Sequence, residues 1–320
     1  SEENFGVAVG NALKLYKTAN DFENWIQLIL NENFSDVYFI CPDVGFALGS
    51  SLYKTQDSGL TFDKQINGPG GNSIVFVDSL VGYIGSSRCY IYKTMDSGNS
   101  WYRTNRNGLN DTIGSINKIF FISDNIGWSI TSRGGILKTN DSGENWFTQL
   151  NAGIFVNFNS ICFIDSLIGW TANTGARPFK TTDGGNNWLQ QTYLDIWSSR
   201  DIYFLNTSRG FIIDGLFDLL QTTNSGNIWF NQLNSQYVIR SFGWLSPLHG
   251  FIIGDGIYES NDSGNTWQEI IELRNIGLRK LHSPKNYLGY SIGNLGLIYK
   301  YIDTAIVPVE LVSFTGSIIN

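Results

Sequence analysis

The stretch TNDSGENW, residues 139–146, decides the fold of this chain. Its aspartate stands two residues after a threonine, where the carboxylate can accept hydrogen bonds from the backbone of its own turn. Its glycine supplies the positive φ that a tight hairpin needs. Its tryptophan begins the next strand, and we expect it to pack on the sheet and fix the turn. The stretch therefore predicts a β-hairpin held together by its own side chains.

The same pattern occurs seven times along the chain, and two of the copies carry asparagine in place of aspartate. Successive terminal aromatic residues are 37, 39, 45, 42, 41 and 38 residues apart. A period near 40 predicts the blades of a β-propeller. The aspartate or asparagine positions are Asn20, Asp57, Asp96, Asp141, Asp183, Asn224 and Asp262, and the aromatic positions are Trp25, Phe62, Trp101, Trp146, Trp188, Trp229 and Trp267.

One repeat unit contains four short β-prone runs. Between residues 116 and 150 these are INKIFFIS, WSIT, ILKT and WFTQL, named A to D here, with turns of Gly, Asn, Asp and Ser between them. Runs A and B are expected to be apolar on both faces, because blades stack on their neighbours. We therefore predict an all-β fold, a β-propeller of four-stranded antiparallel blades, with the repeated stretch at each C–D turn.

The number of blades follows from a second periodic feature, a glycine–hydrophobe step that opens run B and occurs in eight units. The first unit supplies runs B to D only, and the last supplies runs A to C only. We favour eight blades. The alternative is seven, with residues 25–29 closing the last blade as its fourth strand. The propeller is expected over residues 1–303, and residues 304–320 form a linker or a last strand.

The repeated stretch resembles the Asp-box, or bacterial neuraminidase repeat. The fuller unit, G-aromatic-x-x-G…I-x-K-T-x-D-x-G-x-x-W, resembles the photosystem II assembly and stability factor-like propeller family, over residues 1 to about 303. This resemblance implies a propeller, but a propeller hosts many unrelated activities. Asparagine at positions 20 and 224 indicates that the box position is structural, because asparagine can hold a turn but is a poor general base.

Composition excludes several classes of protein. The chain has 15% charged and 14% aromatic residues, which excludes a disordered chain, and a net charge of −7, which disfavours nucleic-acid binding. No apolar run is long enough to span a membrane.

The three cysteines lack a CxxC spacing and are expected to be buried. His249 and His282 have no third ligand partner, so no metal or cofactor is predicted.

Candidate binding residues lie on the B–C and D–A loops, which share the face opposite the boxes. Three consecutive B–C turns carry an arginine, and the neighbouring D–A loops add two more arginines and four aromatic residues. We expect this basic sector to bind an anionic or mixed-charge partner, with Trp197 as an exposed anchor. The predicted binding residues are Arg88, Arg103, Arg106, Arg133, Arg177, Phe155, Phe158, Tyr193 and Trp197. The later B–C loops carry Asp214, Asp218 and Asp255, so the face should be electrostatically two-sided.

An enzyme is the weaker interpretation. Asp boxes decorate sialidases and some endoglucanase propellers, and a general glycosidase needs two carboxylates at a defined separation. Asp214, Asp218 and Asp255 are the candidate group on the loop face. Arg88, Arg133 and Arg177 with Tyr193 superficially resemble a sialidase set, but the Arg-Ile-Pro signature near the N-terminus is absent. We therefore predict no catalytic residue.

The tail at residues 306–314, IVPVELVSF, resembles the join that precedes C-terminal sorting domains in substrates of the bacterial type IX secretion system. That resemblance implies export to the cell surface or the medium of a bacterium. We accordingly expect a non-catalytic, secreted or cell-surface scaffold that binds a protein or a glycan. A membrane-protein assembly factor, as in the photosynthetic relatives, is a third interpretation.

Overall fold

The computed structural model describes residues 6–10, 14–18, 25–28, 34–41, 43–57, 61–105, 113–191, 198–215, 217–244, 246–270, 280–285, 288–292 and 298–302. Regular structure in these ranges is β-strand, apart from a short 3-10 segment at Ser87–Cys89. The strands form eight separate antiparallel sheets. The prediction of an all-β propeller is confirmed.

Six sheets have four strands each. The second sheet comprises β4 (Phe34–Phe39), β5 (Gly45–Gly49), β6 (Leu52–Thr55) and β7 (Asp63–Lys64). The third comprises β8 (Ser73–Phe76), β9 (Gly82–Gly85), β10 (Ile91–Thr94) and β11 (Tyr102–Arg103), and the fourth β12 (Ile116–Phe121), β13 (Gly127–Thr131), β14 (Gly135–Thr139) and β15 (Phe147–Asn151). The fifth comprises β16 (Asn157–Phe163), β17 (Gly169–Thr174), β18 (Phe179–Thr181) and β19 (Leu189–Gln190). The sixth comprises β20 (Ser199–Phe204), β21 (Gly210–Asp214), β22 (Asp218–Thr222) and β23 (Phe230–Asn234), and the seventh β24 (Ile239–Trp244), β25 (Gly250–Gly254), β26 (Tyr258–Ser260) and β27 (Gln268–Glu269).

Two sheets have three strands among the described residues. The first sheet comprises β1 (Gly6–Gly10), β2 (Lys14–Thr18) and β3 (Trp25–Leu28), and the eighth comprises β28 (Lys280–Lys285), β29 (Leu288–Ile292) and β30 (Ile298–Ile302). Strand β1 contacts β4, β29 and β30, and β4 contacts β28, so the first and last sheets meet. Strand β3, which the seven-blade alternative would place in the last blade, pairs instead with β2 of the first sheet. The blade count itself stays a prediction, and Asn20 and residues 304–320 lie outside the described residues.

The two ends of each sheet are connected differently. The amides of Ser97, Ser142 and Ser225, which lie in C–D turns, donate to the carbonyls of A–B turn residues in the same sheet, at 3.0, 3.1 and 2.8 Å. At the other end, D–A connectors bond to B–C turns: the Ala152 amide donates to Gly134 and the Ser235 amide to Phe217, both at 2.8 Å. The expected division into a box face and a loop face is therefore confirmed.

Aromatic stacking between neighbouring sheets forms the core. The B-strand aromatic of one sheet lies on the A-strand aromatic of the next, as in Trp128 on Phe163 with ring centroids 3.6 Å apart. The box tryptophan of that next sheet, Trp188, meets Phe163 edge-on at 5.8 Å. Burial of such large apolar rings is a major stabilising term in folding. The corresponding sets are Phe46–Phe76–Trp101, Tyr83–Phe121–Trp146, Trp170–Phe204–Trp229 and Phe211–Trp244–Trp267.

Polar residues line the inner A strands, contrary to the expectation of strands apolar on both faces. A polar side chain precedes the A-strand aromatic by three residues in every complete sheet. Lys118 donates to Ser160 at 2.8 Å, and Asp201 accepts from Ser241 at 2.8 Å, so these bonds link the fourth sheet to the fifth and the sixth to the seventh. We call the six residues the polar ring, and five of them line a cavity of about 250 Å³. The members are Asp36, Ser73, Lys118, Ser160, Asp201 and Ser241.

The cysteine expectation holds for two residues of three. Cys89 and Cys162 are buried, and burial raises the pKa of the Cys162 thiol to about 11. Cys41 is exposed, because β4 ends at Phe39 and the chain turns before residue 42. The prediction that Cys41 is buried was wrong.

Candidate functional site

The box aspartates bond to their own turns. The Asp141 carboxylate accepts from the Thr139 hydroxyl at 2.8 Å, the Asn145 amide at 3.0 Å and the Asn145 side chain at 2.6 Å. Partial burial raises the pKa of Asp141, but these hydrogen bonds outweigh it and hold the pKa below its usual value. The same bonds recur at Asp57, Asp96, Asp183 and Asp262.

The asparagine copy at position 224 makes part of this set. Its side-chain oxygen accepts from the Thr222 hydroxyl at 3.0 Å and from the Ile228 amide at 2.8 Å. An amide therefore suffices to hold the turn, and neither contact involves proton transfer. Both observations support a structural role for the box position.

The loop face carries the predicted basic sector on rigid turns. Arg88 and Arg133 are exposed, and Arg177 is half-buried. Arg103 is exposed at the end of β11 rather than in the following loop, and its guanidinium lies 4.7 Å from the Tyr90 ring centroid. The arginines of the basic sector that lie within the described residues are Arg88, Arg103, Arg133 and Arg177.

An apolar tip lies between two of these arginine-bearing turns. Ile154 and Phe155 are 64% and 87% exposed at the tip of the connector from the fourth to the fifth sheet. A Cβ placed on Gly134, next to Arg133, would strike Gly153, and a Cβ on Gly175 would strike the Phe155 carbonyl. The connector backbone thus touches both turns. The Ile154–Phe155 tip is therefore held between the turn that carries Arg133 and the turn that carries Arg177.

The prediction that Phe158 binds a partner is wrong. Phe158 lies inside β16, is wholly buried and packs edge-on on Phe179 at 5.7 Å. It therefore cannot contact a partner at the surface. Arg106, Tyr193 and Trp197 lie outside the described residues.

The acidic loops are less uniform than expected. Asp214 and Asp218 face each other across β21 and β22, and burial, with the charge of Asp218 adding to it, raises the pKa of Asp214 to about 6. Asp255 is paired instead: Arg240 donates to both of its oxygens, at 2.7 and 3.2 Å. The later loops therefore combine one carboxylate pair with one neutralised carboxylate.

A polar groove beside Arg88 was not anticipated from the sequence. It is a depression of about 540 Å³ between the second and third sheets, lined by serines, glycines and Asn72. Gly70 and Gly71 form part of it, and a Cβ on either would strike the backbone of a neighbouring turn. The glycine cluster at residues 68–71 is the sequence signal for this close approach.

Two kinds of site do not occur in the described ranges. No cluster of three or more His, Cys, Asp or Glu side chains there could hold a metal ion. No helix in that part of the chain is long and apolar enough to cross a bilayer. His249 is buried and bonded to Glu259 at 2.7 Å.

Comparisons with known proteins agree with this architecture. The family model of the photosynthesis system II assembly factor YCF48 matches residues 16–159, less than half of the chain. No curated protein sequence matches the chain. A solved structure of YCF48 bound to D1 peptide has 20% identity and a TM-score of 0.70, over 92% of this chain and 98% of that one.

Two further solved structures share this fold, and one of them is an enzyme. YCF48 from Cyanidioschyzon merolae has 15% identity and a TM-score of 0.67, over 93% of this chain and 98% of that one. The GH74 enzyme of Niastella koreensis has 14% identity and a TM-score of 0.64, over 91% of this chain and 58% of the enzyme. The chain is a propeller of the bacterial neuraminidase repeat type that resembles the assembly factor, and these identities establish the fold alone.

Proposed function

We propose that this propeller is a non-catalytic scaffold that binds an anionic protein segment on its loop face, at the basic sector. The observation that carries the proposal is the order Arg133, Ile154–Phe155 tip, Arg177, in which an exposed apolar tip lies between two cationic turns. Arginine and aromatic residues are the types that dominate binding energy at protein interfaces.

The physical reason for this function is the combination of charge and rigidity. The turns that carry the arginines are bonded to adjoining connectors, so little backbone order has to be gained on binding. Arginine can grip a carboxylate with two parallel hydrogen bonds. Covering Phe155 removes a large apolar surface from water. The groove beside Arg88 offers room for an extended backbone to continue.

The class of partner is supported by similarity. YCF48, whose solved structure has this fold, is bound there to a peptide of D1. A protein segment is therefore the partner that we propose for this chain as well, and a role as an assembly factor is compatible with it. A glycan ligand is less well supported, since no aromatic ring lines the described groove.

Location at the cell surface or outside the cell remains part of the proposal. It rests on the resemblance of residues 306–314 to the join before type IX sorting domains. Expression of the protein in its source organism, followed by fractionation, tests it. Recovery of the protein only from the cytoplasm would contradict export.

The binding function is tested with peptides selected from a random phage-displayed library on the immobilised protein. The triple variant Arg88→Gln, Arg133→Gln, Arg177→Gln should bind the selected acidic peptides at least about tenfold more weakly, because three charge-assisted contacts are lost. The matched control, Asn140→Glu, Thr182→Glu, Thr223→Glu, changes the net charge equally on the box face. Equal losses in both variants would refute a specific basic sector.

A glycoside hydrolase is the second candidate, because Asp214 and Asp218 form a facing carboxylate pair on a fold that GH74 enzymes share. A carboxyl group with a pKa of about 6 can act as a general acid near neutral pH. Hydrolysis of xyloglucan or a sialyl substrate that disappears in Asp214→Asn would establish this activity and displace the scaffold proposal.

A further inference from the structure

The box end of the third sheet exposes an apolar patch. Leu80, Met95 and Tyr102 are 54%, 59% and 40% exposed. Leu80 lies in the A–B turn, Met95 adjoins the box aspartate, and Tyr102 begins β11. The Tyr102 hydroxyl lies 3.6 Å from the Met95 sulfur. The Ser97 amide, two residues after Met95, donates to the Leu80 carbonyl at 3.0 Å. We call Leu80, Met95 and Tyr102 the box-end patch.

The patch is held by its turns. The Asp78 carboxylate accepts from the amides of Leu80 at 2.6 Å and Val81 at 2.7 Å. The Ser97 hydroxyl donates to the Ser79 carbonyl at 2.6 Å. The backbone of this turn is therefore held by hydrogen bonds, and the Leu80 side chain is exposed on it. Exposed apolar groups that lie together on a rigid surface are typical of interaction sites.

Carboxylates surround the patch. Glu144 of the fourth sheet accepts from the Tyr102 hydroxyl at 2.8 Å and from the Lys93 ammonium at 2.6 Å. The buried Tyr83 phenol lies beneath it, and its pKa is raised first by burial and then by Glu144, Tyr102, Asp78 and Asp124. Asp78 and Asp124 are exposed, whereas the Lys93 side chain is only 4% exposed. A partner approaching from solvent therefore meets a negative rim.

The same two sheets are positive at their opposite end. Arg88 of the third sheet and Arg133 of the fourth lie on the loop face, and the Arg103 guanidinium reaches the Tyr90 ring in the B–C turn of the third sheet. The molecule is thus electrically polarised along these sheets. A segment suited to the loop face is repelled at the box end, so the two ends select partners of opposite charge.

We propose that the box-end patch docks a basic amphipathic segment of a partner protein. Its apolar side chains cover Leu80, Met95 and Tyr102, and its lysines or arginines lie against Asp78, Asp124 and Glu144. Charge complementarity selects this occupant: an acidic segment or an anionic lipid surface would be repelled by the same carboxylates. The surface is independent of the basic sector, so both partners can be held at once.

The test uses a fluorescein-labelled peptide in which lysines and leucines recur at helical spacing, with fluorescence anisotropy as the readout. The double variant Leu80→Ser, Met95→Ser should lower its affinity about tenfold, because two exposed apolar contacts are lost. Asp124→Asn should weaken binding less and reduce its salt dependence. A peptide with glutamate for lysine should not bind the variant Arg88→Gln, Arg133→Gln, Arg177→Gln, in which the basic sector can no longer hold an acidic segment.

The fifth sheet supplies the matched control. Leu167 is also 54% exposed, on a turn that Asp165 caps in the same way. There Asn227 occupies the box position of Glu144 in the following sheet. Leu167→Ser should leave the affinity unchanged. Failure of the lysine peptide to bind the unmodified protein, or an equal loss with Leu167→Ser, would overturn the proposal.

The basic sector gives a second check that separates this proposal from the first. The variant Arg88→Gln, Arg133→Gln, Arg177→Gln should bind the lysine peptide as the unmodified protein does. Unfolding midpoints measured for each variant exclude misfolding as the cause of a loss. A loss confined to the arginine variant would contradict the box-end patch.

Discussion

Lys138 donates a 2.7 Å hydrogen bond from its Nζ to the carbonyl of Gly184, the residue after the box aspartate of the next sheet. The same ammonium lies 5.2 Å from the ring centroid of Trp128 in its own sheet. Lys54 and Lys180 bond to the next box in the same way, at 2.8 Å each. The box turn therefore also serves as the acceptor that links one sheet to the next.

The sixth sheet makes this link with different residues, and exchanging them tests the link. Gln221 stands where the second to fifth sheets have lysine, and Arg209 from the A–B turn donates instead to Asn265 of the next box at 2.7 Å. Arg209→Ile, the residue type of the fourth and fifth sheets, should cost about 1–2 kcal/mol of the free energy of unfolding. Adding Gln221→Lys should restore most of it, as measured by urea unfolding.

The exchange has a clear negative outcome. If Gln221→Lys destabilises the Arg209→Ile variant further, the cation is not interchangeable between the two positions. The link would then depend on the local geometry of the sixth sheet.

Removal of a box carboxylate should destabilise the protein without affecting binding. Asp141→Ala loses three hydrogen bonds within its turn and should cost about 1–3 kcal/mol. Asp141→Asn combined with Asn145→Ile introduces the asparagine and isoleucine of the sixth-sheet box, Asn224 and Ile228, and should cost less. Chemical unfolding measures both. Equal losses in the two variants would contradict the structural role assigned to the side-chain oxygen.

Asp214 gives a pH dependence of known sign. Its pKa is about 6 in the folded chain and about 4 when unfolded, so the folded state holds the proton more tightly. The resulting stabilisation is complete below about pH 4 and is lost as the pH rises to 6. Asp214→Asn should therefore gain stability relative to the unmodified protein over that range. Parallel curves for the two proteins would refute the shift, which carbon NMR titration measures directly.

Thiol reactivity should distinguish the three cysteines. Ellman's reagent should titrate one thiol in the native protein, Cys41, because Cys89 and Cys162 are buried. Cys41→Ser should leave the native protein unreactive while two thiols react after unfolding. Rapid reaction of a second native thiol would mean that the sheets open readily.

The sequence predicted the repeated hairpins, because each box carries its own hydrogen-bonding side chains. It did not predict Phe158 as a core residue, since the run IFVNFNSICF alternates too little to mark where β16 begins. The strand starts at Asn157, and its register with β17 shifts between Phe158 and Ser160. That irregularity places Phe158 inside the core, whereas the sequence pattern had predicted that it lies on a D–A loop.

The polar ring around the inner strands could have been found by aligning the repeats. Asp36, Lys118 and Asp201 each stand three residues before the A-strand aromatic, with serines at this position in the intervening sheets. Lys280 of β28 occupies the register position of Asp36, judged by its pairing with Ile292. The apolar content of the A strands hid this one polar position, because periodicity alone does not separate a channel-facing residue from a core residue.

Hydrogen–deuterium exchange of the protein with and without a selected acidic peptide locates the binding surface. We expect protection at residues 86–90, 132–134, 153–156 and 175–178, and unchanged exchange in the box turns at 140–146 and 182–188. Protection in the box turns, with the arginine-bearing turns unaffected, would contradict it.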